Sequence, residues 1–279
     1  MRLSTRLTVA MVALVLLATT AVGVLTYRNI AALALPAALD RLQTHAELLG
    51  SELAASVRGA RADVIGFRSA VAAIDIMNAH LNRANDPAAA AHEVELRRRL
   101  GQRFEAELAS KPNYYEFRYI GVDDGGRELV RVDRSGPGGA PRTVPDGELQ
   151  RKADRPAFTE TIRLPAGEVY VSAVDLNQKN GAIETLRVPV LRVATPLYAP
   201  DGRPFGIVII NVDMRPAFAR IRMATNSGRR GFVVNDQGDY LMHPDPDLEF
   251  GFEFARPVRI QDEFPDFAEI LATGAAAPR

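Results

Sequence analysis

The sequence predicts an α+β protein in which an N-terminal transmembrane helix and a long stalk helix precede an antiparallel five-stranded sheet and the start of a second, smaller module. Three observations predict this fold class. No charged residue occurs from Leu7 to Tyr27, apolar residues recur at helical spacing from Ala37 to Ala84, and residues 113–213 then alternate with a period of two. One large or two small folded units fit the length of 279 residues.

The composition excludes several classes of protein. The 34 Lys and Arg residues balance 34 Asp and Glu residues, so no net field attracts a phosphate backbone, and we expect no nucleic-acid partner. Cysteine is absent, which rules out disulfides, Cys-ligated zinc, iron–sulfur clusters and thiol catalysis. The fold therefore depends on burial of its core.

The uncharged run at residues 7–27 is long enough to cross a membrane. As a helix rising about 1.5 Å per residue it extends about 31 Å, which matches a hydrocarbon core of about 30 Å. Arg2 and Arg6 precede it, and this positive flank predicts a cytoplasmic N-terminus, with the residues after 28 outside the bacterial inner membrane. A cleaved signal peptide is the alternative, but its apolar region usually ends after about 7–15 residues. We expect an uncleaved anchor.

A stalk of two helices is predicted next. Asn85-Asp86-Pro87 breaks the helical pattern and predicts a turn before a second helix at residues 88–109. The apolar residues that share the helical period are Leu39, Leu42, Leu49, Leu53, Val57, Val64, Phe67, Val71 and Ile74. This stripe packs either on a sheet or against the same helix of a second copy, and we expect a homodimer through the stalk helices.

Five strands are predicted after Lys111-Pro112. They cover residues 116–122, 128–133, 168–174, 188–198 and 205–213. Short turns at Asp123–Gly126 and Ala199–Gly202 join the first and last pairs, which makes the sheet largely antiparallel. A Gly- and Pro-rich loop at 135–141 and a short helical stretch at 147–161 lie between them.

A weak repeat suggests a second module. Gly231 to Leu241 repeats the strand, Asp-x-Gly turn and strand of the first hairpin, yet residues 253–279 lack three further strands of that type. We expect a chain cut short inside or just after this module, with any output domain outside it. The predicted regions are the cytoplasmic N-terminus and transmembrane helix at 1–28, the stalk at 29–112, the membrane-distal module at 113–222 and the beginning of a membrane-proximal module at 223–279.

The order of several short motifs behind the long helix carries a family resemblance. They are Arg118-Tyr119-Ile120, Leu149 to Phe158, Gly167 to Ser172, Arg192 to Pro196, Gly206 to Asp213, and Tyr240 to Pro246. From about residue 37 to 255 this order resembles a double Cache domain. The resemblance implies a PAS-like sheet and a periplasmic small-molecule sensor coupled to a histidine kinase, a diguanylate cyclase or a chemoreceptor.

Strand alternation gives each strand one face with a hydrogen-bonding side chain. The polar members of this face are Arg118, Arg131, Tyr170, Ser172, Arg192, Asn211 and Asp213. The face is either solvated, as is common in antiparallel sheets, or the wall of a binding site. Three arginines suit a carboxylate or phosphate ligand, because a guanidinium donates two parallel hydrogen bonds.

The family resemblance points to particular pocket residues. Double Cache sensors for amino acids carry an Arg-x-Trp-Tyr element and a later Tyr-x-Asp element; Asp154 to Phe158 and Tyr170 to Ser172 lie in these two regions. The chain departs from the pattern, because it has no Trp and because Ser172 replaces the carboxylate that binds an α-amino group. The resemblance therefore implies Arg155, Tyr170 and Asp175 as ligand-binding residues, with Phe158 beside them, and disfavours an amino acid. Asp175 needs a strand irregularity to reach the same face.

Enzymatic motifs are missing from the sequence. His45, His80, His92 and His243 lack metal-ligand spacing, and no nucleophile elbow, phosphate loop or dinucleotide fingerprint occurs. We expect no metal, no cofactor and no catalytic activity in this chain. A membrane-anchored periplasmic hydrolase and a ligandless dimerisation ectodomain stay open as alternatives.

Overall fold

The structure, a computed structural model, describes residues 3–134, 138–225 and 230–273 and divides the chain into two units, Met1–Ala54 and Ala55–Arg279. Parts of the predicted loop at 135–141 and of the predicted module at 223–279 lie outside the described residues. Helix α1 spans Leu3–Arg68. Its segment Met11–Arg28 is long and apolar enough to cross a membrane. The predicted apolar N-terminal helix is confirmed.

Two further helices follow. Helix α2 spans Val71–Asn82 and helix α3 spans Pro87–Ser110. The predicted stalk helix is therefore interrupted at Ser69-Ala70, whereas the predicted break before α3 is confirmed. Pro87 occupies the first turn of α3, and the Asp86 side chain accepts a hydrogen bond from the Ala88 backbone N–H, which caps the helix.

All described strand pairs are antiparallel. The strands are β1 (Tyr114–Gly121), β2 (Glu128–Arg134), β3 (Pro141–Thr143), β4 (Tyr170–Val171), β5 (Asp175–Leu176), β6 (Gln178–Lys179), β7 (Ala182–Ile183), β8 (Pro189–Tyr198) and β9 (Pro204–Asp213). The main sheet has the order β3-β2-β1-β9-β8-β4, with β5 also on β8, while β6 and β7 pair with each other. The antiparallel sheet is confirmed, with two short strands, β3 and β5, added to the five predicted.

Short helices complete the first sheet. Helix α4 (Asp123–Gly126) forms the turn between β1 and β2, α5 (Pro156–Thr161) precedes β4, and α6 (Arg215–Thr225) follows β9. The predicted helical stretch at 147–161 is helical only at its two ends, in a 3₁₀ turn at Asp146–Glu148 and in α5, with irregular backbone at 149–155 between them.

Helices cover one face of the sheet. The Phe117 ring of β1 lies 4.8 Å from the Phe104 ring of α3 and 5.2 Å from the Phe67 ring of α1. The Tyr119 hydroxyl donates to the Ala73 carbonyl of α2 at 2.9 Å. Burial of each such ring stabilises the fold by about 1.5–3 kcal/mol. Because side chains alternate, Arg118 and Ile120 point to the opposite face.

The second hairpin is also present. Strand β10 (Val233–Val234) pairs antiparallel with β11 (Tyr240–Met242), and Gly238 in the turn between them has a φ of 87°. Helices α7 (Ile260–Glu263) and α8 (Phe267–Thr273) follow. From this region the Glu253 side chain reaches the first sheet and accepts a hydrogen bond from the Leu176 backbone N–H at 3.1 Å.

Candidate functional site

A cavity lies on the sheet face opposite the helices. It encloses about 100 Å³, which corresponds to roughly seven to ten water-sized spheres. It therefore fits a small metabolite. Strands β1, β4, β5, β6, β8 and β9, residues next to β4 and β5, helix α5 and the turn before it supply its lining: Arg118, Ile120, Lys152, Arg155, Pro156, Ala157, Phe158, Tyr170, Ser172, Asp175, Asn177, Gln178, Arg192, Ile207 and Ile209.

One wall of the cavity is apolar. Ile120 of β1 is paired in register with Ile207 of β9, and Ile209 lies two residues further along on the same face. Phe158 of α5 packs against this group and Tyr170 lies at its edge. Such a wall stabilises the hydrocarbon part of a ligand through burial of apolar surface.

The polar wall contains the ion pair between Arg192 and Asp175. Burial raises the pKa of Asp175, against the opposing effect of the Arg192 charge. The backbones of Ser172 and Arg192 are joined by a hydrogen bond from Ser172 N to Arg192 O at 2.9 Å, after which the chain leaves the strand and pairs again at β5. This break resets the alternation, so Asp175 reaches the cavity.

Two cations from one turn, Lys152 and Arg155, line the cavity. Lys152 is only 7% exposed, and its Nζ donates to Gln150 Oε1 at 2.5 Å. Arg155 Nη1 donates to Gln178 Oε1 at 2.9 Å. Within the residues that the structure describes, neither forms an ion pair with a carboxylate. Burial and, next, the nearby Arg118 charge lower the pKa of Lys152 to about 8, against the opposing effect of the Glu128 and Glu116 charges.

Arg118 belongs instead to a buried ion network on β1 and β2. We call Glu116, Arg118, Glu128, Arg131 and Asp133 the β1–β2 network. Arg118 Nη2 lies 2.6 Å from Glu116 Oε2, and Arg118 Nε lies 3.1 Å from Glu128 Oε1. All three carboxylates are fully buried. Burial raises the pKa of Glu116. The network neutralises Arg118 and fixes its side chain at the cavity.

A family model described as the sensor domain of bacterial histidine kinases matches residues 88–265, more than half of the chain. The chain belongs to this family. The matched range contains every residue that lines the cavity. The predicted place among extracytoplasmic sensor domains of signalling receptors is confirmed.

Solved structures share the fold of this sensor domain. The extracellular domain assigned to the histidine kinase vpHK1S-Z8 has a TM-score of 0.54 at 16% identity, over 81% of this chain and 80% of that one. A domain of a sensory box/GGDEF family protein from Vibrio parahaemolyticus has a TM-score of 0.53 at 16% identity, over 81% and 84%. The ligand-binding domain of the amino-acid chemoreceptor PctC from Pseudomonas aeruginosa, in complex with GABA, has a TM-score of 0.50 at 16% identity, over 81% and 82%. Comparison with curated protein sequences gives no match.

The structure brings together most of the site residues predicted from sequence. Seven of them line the cavity of this sensor domain: Arg118, Arg155, Phe158, Tyr170, Ser172, Asp175 and Arg192. Arg131 and Asp213 do not. Arg131 is buried among the carboxylates of the β1–β2 network, with Nη1 3.0 Å from Glu128 Oε2, and Asp213 pairs with Arg215 at 2.5 Å. A ligand-binding role for any of these residues stays a prediction.

Sequence reasoning missed three polar lining residues, Lys152, Asn177 and Gln178. Lys152 carried a usable signal, because the chain has only three lysines and this one lies three residues before Arg155. Asn177 lies two residues after Asp175, but its role depends on the contact of its Oδ1 with Asn211 Nδ2 at 3.0 Å. No local pattern reports such a pairing between distant segments.

Proposed function

We propose that this chain is the ligand-sensing part of a membrane-anchored receptor and that the cavity binds a small anionic ligand. The observation that supports an anion is that two cations line the cavity, Lys152 and Arg155, and that within the described part of the chain neither forms an ion pair with a carboxylate. Both are placed to donate charge-assisted hydrogen bonds to a carboxylate. The GABA complex of PctC supports a small-molecule ligand for this fold.

Signal transmission is proposed to use β1. Arg118 and Ile120 line the cavity, while the alternate residues Phe117 and Tyr119 contact the helices. A ligand that favours one position of β1 therefore also favours one position of the helices, since only differential affinity shifts a population. We propose that the stalk helices dimerise and relay this shift to an output domain outside this chain, which would hold any kinase or cyclase activity.

The orientation in the membrane gives a first testable prediction. The positive flank of Arg2 and Arg6 should keep the N-terminus in the cytoplasm. Alkaline phosphatase fused after Ala84 should therefore be active in bacterial cells, and a green fluorescent protein fused at the same site should stay dark. As a control, both reporters are fused after Arg6 and should give the reverse result. A fluorescent fusion after Ala84 would contradict the proposed orientation.

The role of Arg155 gives a second prediction. A thermal-shift screen of amino acids, amines and carboxylates on the detergent-solubilised chain should first find a ligand. Arg155→Ala should then weaken its binding at least about tenfold, because one or two charge-assisted hydrogen bonds are lost at about 1.5–3 kcal/mol each. Arg155→Lys should recover part of the affinity, since an ammonium keeps the charge but not the planar donor pair.

Arg203→Ala is the matched control, because the Arg203 side chain is 81% exposed and pairs with Asp201 in a turn. It should bind like the parent in calorimetry. Thermal melts of all variants separate lost binding from lost folding. Parental affinity in Arg155→Ala would remove Arg155 from the proposed site.

A further inference from the structure

We infer that the ligand is a small monocarboxylate with an apolar body and no ammonium group, and that Lys152 selects its charge. This inference rests on the proposed function, because it names the ligand class of the same cavity. Three observations support it: Lys152 and Arg155 line the cavity, the lining carboxylate of Asp175 is paired with Arg192, and one wall is apolar.

The two cations form one anion subsite. Lys152 and Arg155 belong to the same turn, where the Arg155 backbone N–H donates to the Lys152 carbonyl at 3.0 Å. Arg118 beside them forms ion pairs with Glu116 and Glu128. The charges of these two carboxylates also act on Lys152, but within the described residues neither forms an ion pair with it. Because Lys152 and Arg155 come from one turn and line one cavity of about 100 Å³, a single carboxylate has an oxygen for each of them. A second charged group of the ligand that faced Phe158 and the isoleucines of the apolar wall would have no polar partner there.

The described residues that line the cavity include no unpaired carboxylate for an ammonium group. The one carboxylate among them, Asp175, is paired with Arg192. The Ser172 hydroxyl donates to the Ala173 carbonyl at 2.6 Å and accepts from the Arg192 backbone N–H at 2.9 Å. An ammonium placed here would lose its water without gaining an unpaired anion, which disfavours its binding. A ligand without an amine avoids this cost.

Lys152 is the selecting residue because its charge is the more deeply buried. It is 7% exposed, and its ammonium donates to one neutral partner, Gln150. A carboxylate replaces lost hydration at this ammonium, whereas a neutral amide does not supply the opposite charge. Arg155 adds orientation through its planar donors.

Calorimetry of the full chain in detergent with matched probes tests the inference. The probes are three sets with one carbon skeleton each: propanoate, alanine and propanamide; 4-methylpentanoate, leucine and 4-methylpentanamide; 3-phenylpropanoate, phenylalanine and 3-phenylpropanamide. In at least one set the carboxylate should bind tenfold or more tightly than both the amino acid and the amide. Affinity should rise with the skeleton up to the size of the cavity, by about fourfold for each buried methylene.

Lys152 variants test the residue itself. Lys152→Met should abolish the preference for carboxylate over amide, and Lys152→Arg should keep it. Lys111→Met is the matched control, since Lys111 pairs with Asp63 outside the cavity lining, and it should bind like the parent. The measurements on the parent chain decide the ligand class even where a variant does not fold.

The remaining outcomes separate this inference from the proposed function. If an amino acid binds as tightly as its carboxylate, or if only another class of anion binds, the inference is wrong and the proposed anionic ligand stands. If a neutral amide binds as tightly as its carboxylate, or if only a compound without negative charge binds, the anionic ligand is wrong as well and only the ligand-sensing role stands. If Lys152→Met folds and keeps the full carboxylate preference, Lys152 does not select the charge. If a broad panel of acids, amines and amino acids gives no binding, both the ligand class and the sensing role of the cavity are overturned.

Discussion

Glu128→Ala is expected to lower the free energy of unfolding by about 3–5 kcal/mol. Glu128 is fully buried, and its carboxylate contacts Arg118 Nε at 3.1 Å and Arg131 Nη1 at 3.0 Å. It also accepts the Gln150 backbone N–H at 2.8 Å. Alanine leaves both guanidinium groups buried with a deficit of negative charge, which costs far more than the loss of an exposed ion pair. Chemical denaturation of the detergent-solubilised chain measures the change.

Glu95→Ala is the matched control. Glu95 also pairs with two arginines, Arg98 and Arg99, but on the exposed surface of α3. Water and salt screen these charges, so the substitution should change the unfolding free energy little. Equal small losses in both variants would show that the β1–β2 network does not hold the sheet together.

The strands of the sheet and much of the cavity could be predicted because the strand period determines which side chains share a face. Arg118 and Ile120 are two residues apart on β1, as are Arg192 and Ala194 on β8, and each pair lies on the cavity side. The pairing register then joins them across the sheet, as in Ile120 with Ile207. Local alternation and short turns are sufficient for this part of the structure.

The burial of these side chains could not be predicted in the same way. The alternation that places Arg131 on this face also places Glu116 and Asp133 there, but it does not show that this part of the face is buried. Burial there depends on segments far along the chain; Lys179 of the β6–β7 hairpin, for example, reaches Asp133 at 3.2 Å. An arginine that looked available for a ligand is therefore a structural ion-pair partner.

Irregular segments account for the other differences. Asp175 reaches the cavity because the strand breaks after Val171, and Lys152 reaches it from a turn outside any strand. A periodic pattern predicts neither, since it assumes a continuous element. The prediction of one uninterrupted stalk helix was wrong for the same reason, because Ser69-Ala70 interrupts an otherwise continuous apolar stripe.

Carboxylate binding is expected to weaken about tenfold per pH unit above about pH 8, up to roughly a hundredfold at pH 10. Burial, aided by the Arg118 charge, lowers the pKa of Lys152 to about 8. Its other charged neighbours are Glu116 of β1, Glu128 of β2 and Arg155 of its own turn. A bound carboxylate favours protonated Lys152 and raises its pKa, so binding takes up a proton and is strongest below pH 8. Calorimetry of the tightest-binding probe from pH 7 to 10 measures this dependence, and Lys152→Met should remove it.

Stability should change in the opposite direction over the same pH window. An unfolded lysine has a pKa of about 10.4, whereas folded Lys152 titrates at about 8. Between these values the unfolded chain binds more protons than the folded chain, so the contribution of Lys152 to the unfolding free energy rises with pH. General alkaline unfolding would lower affinity and stability together. The contribution of Lys152 to the unfolding free energy is measured as the difference between the parent and Lys152→Met. If this contribution becomes more favourable while the parent loses affinity, the group that titrates is the Lys152 ammonium. Parallel loss of both quantities would assign the pH effect to unfolding instead.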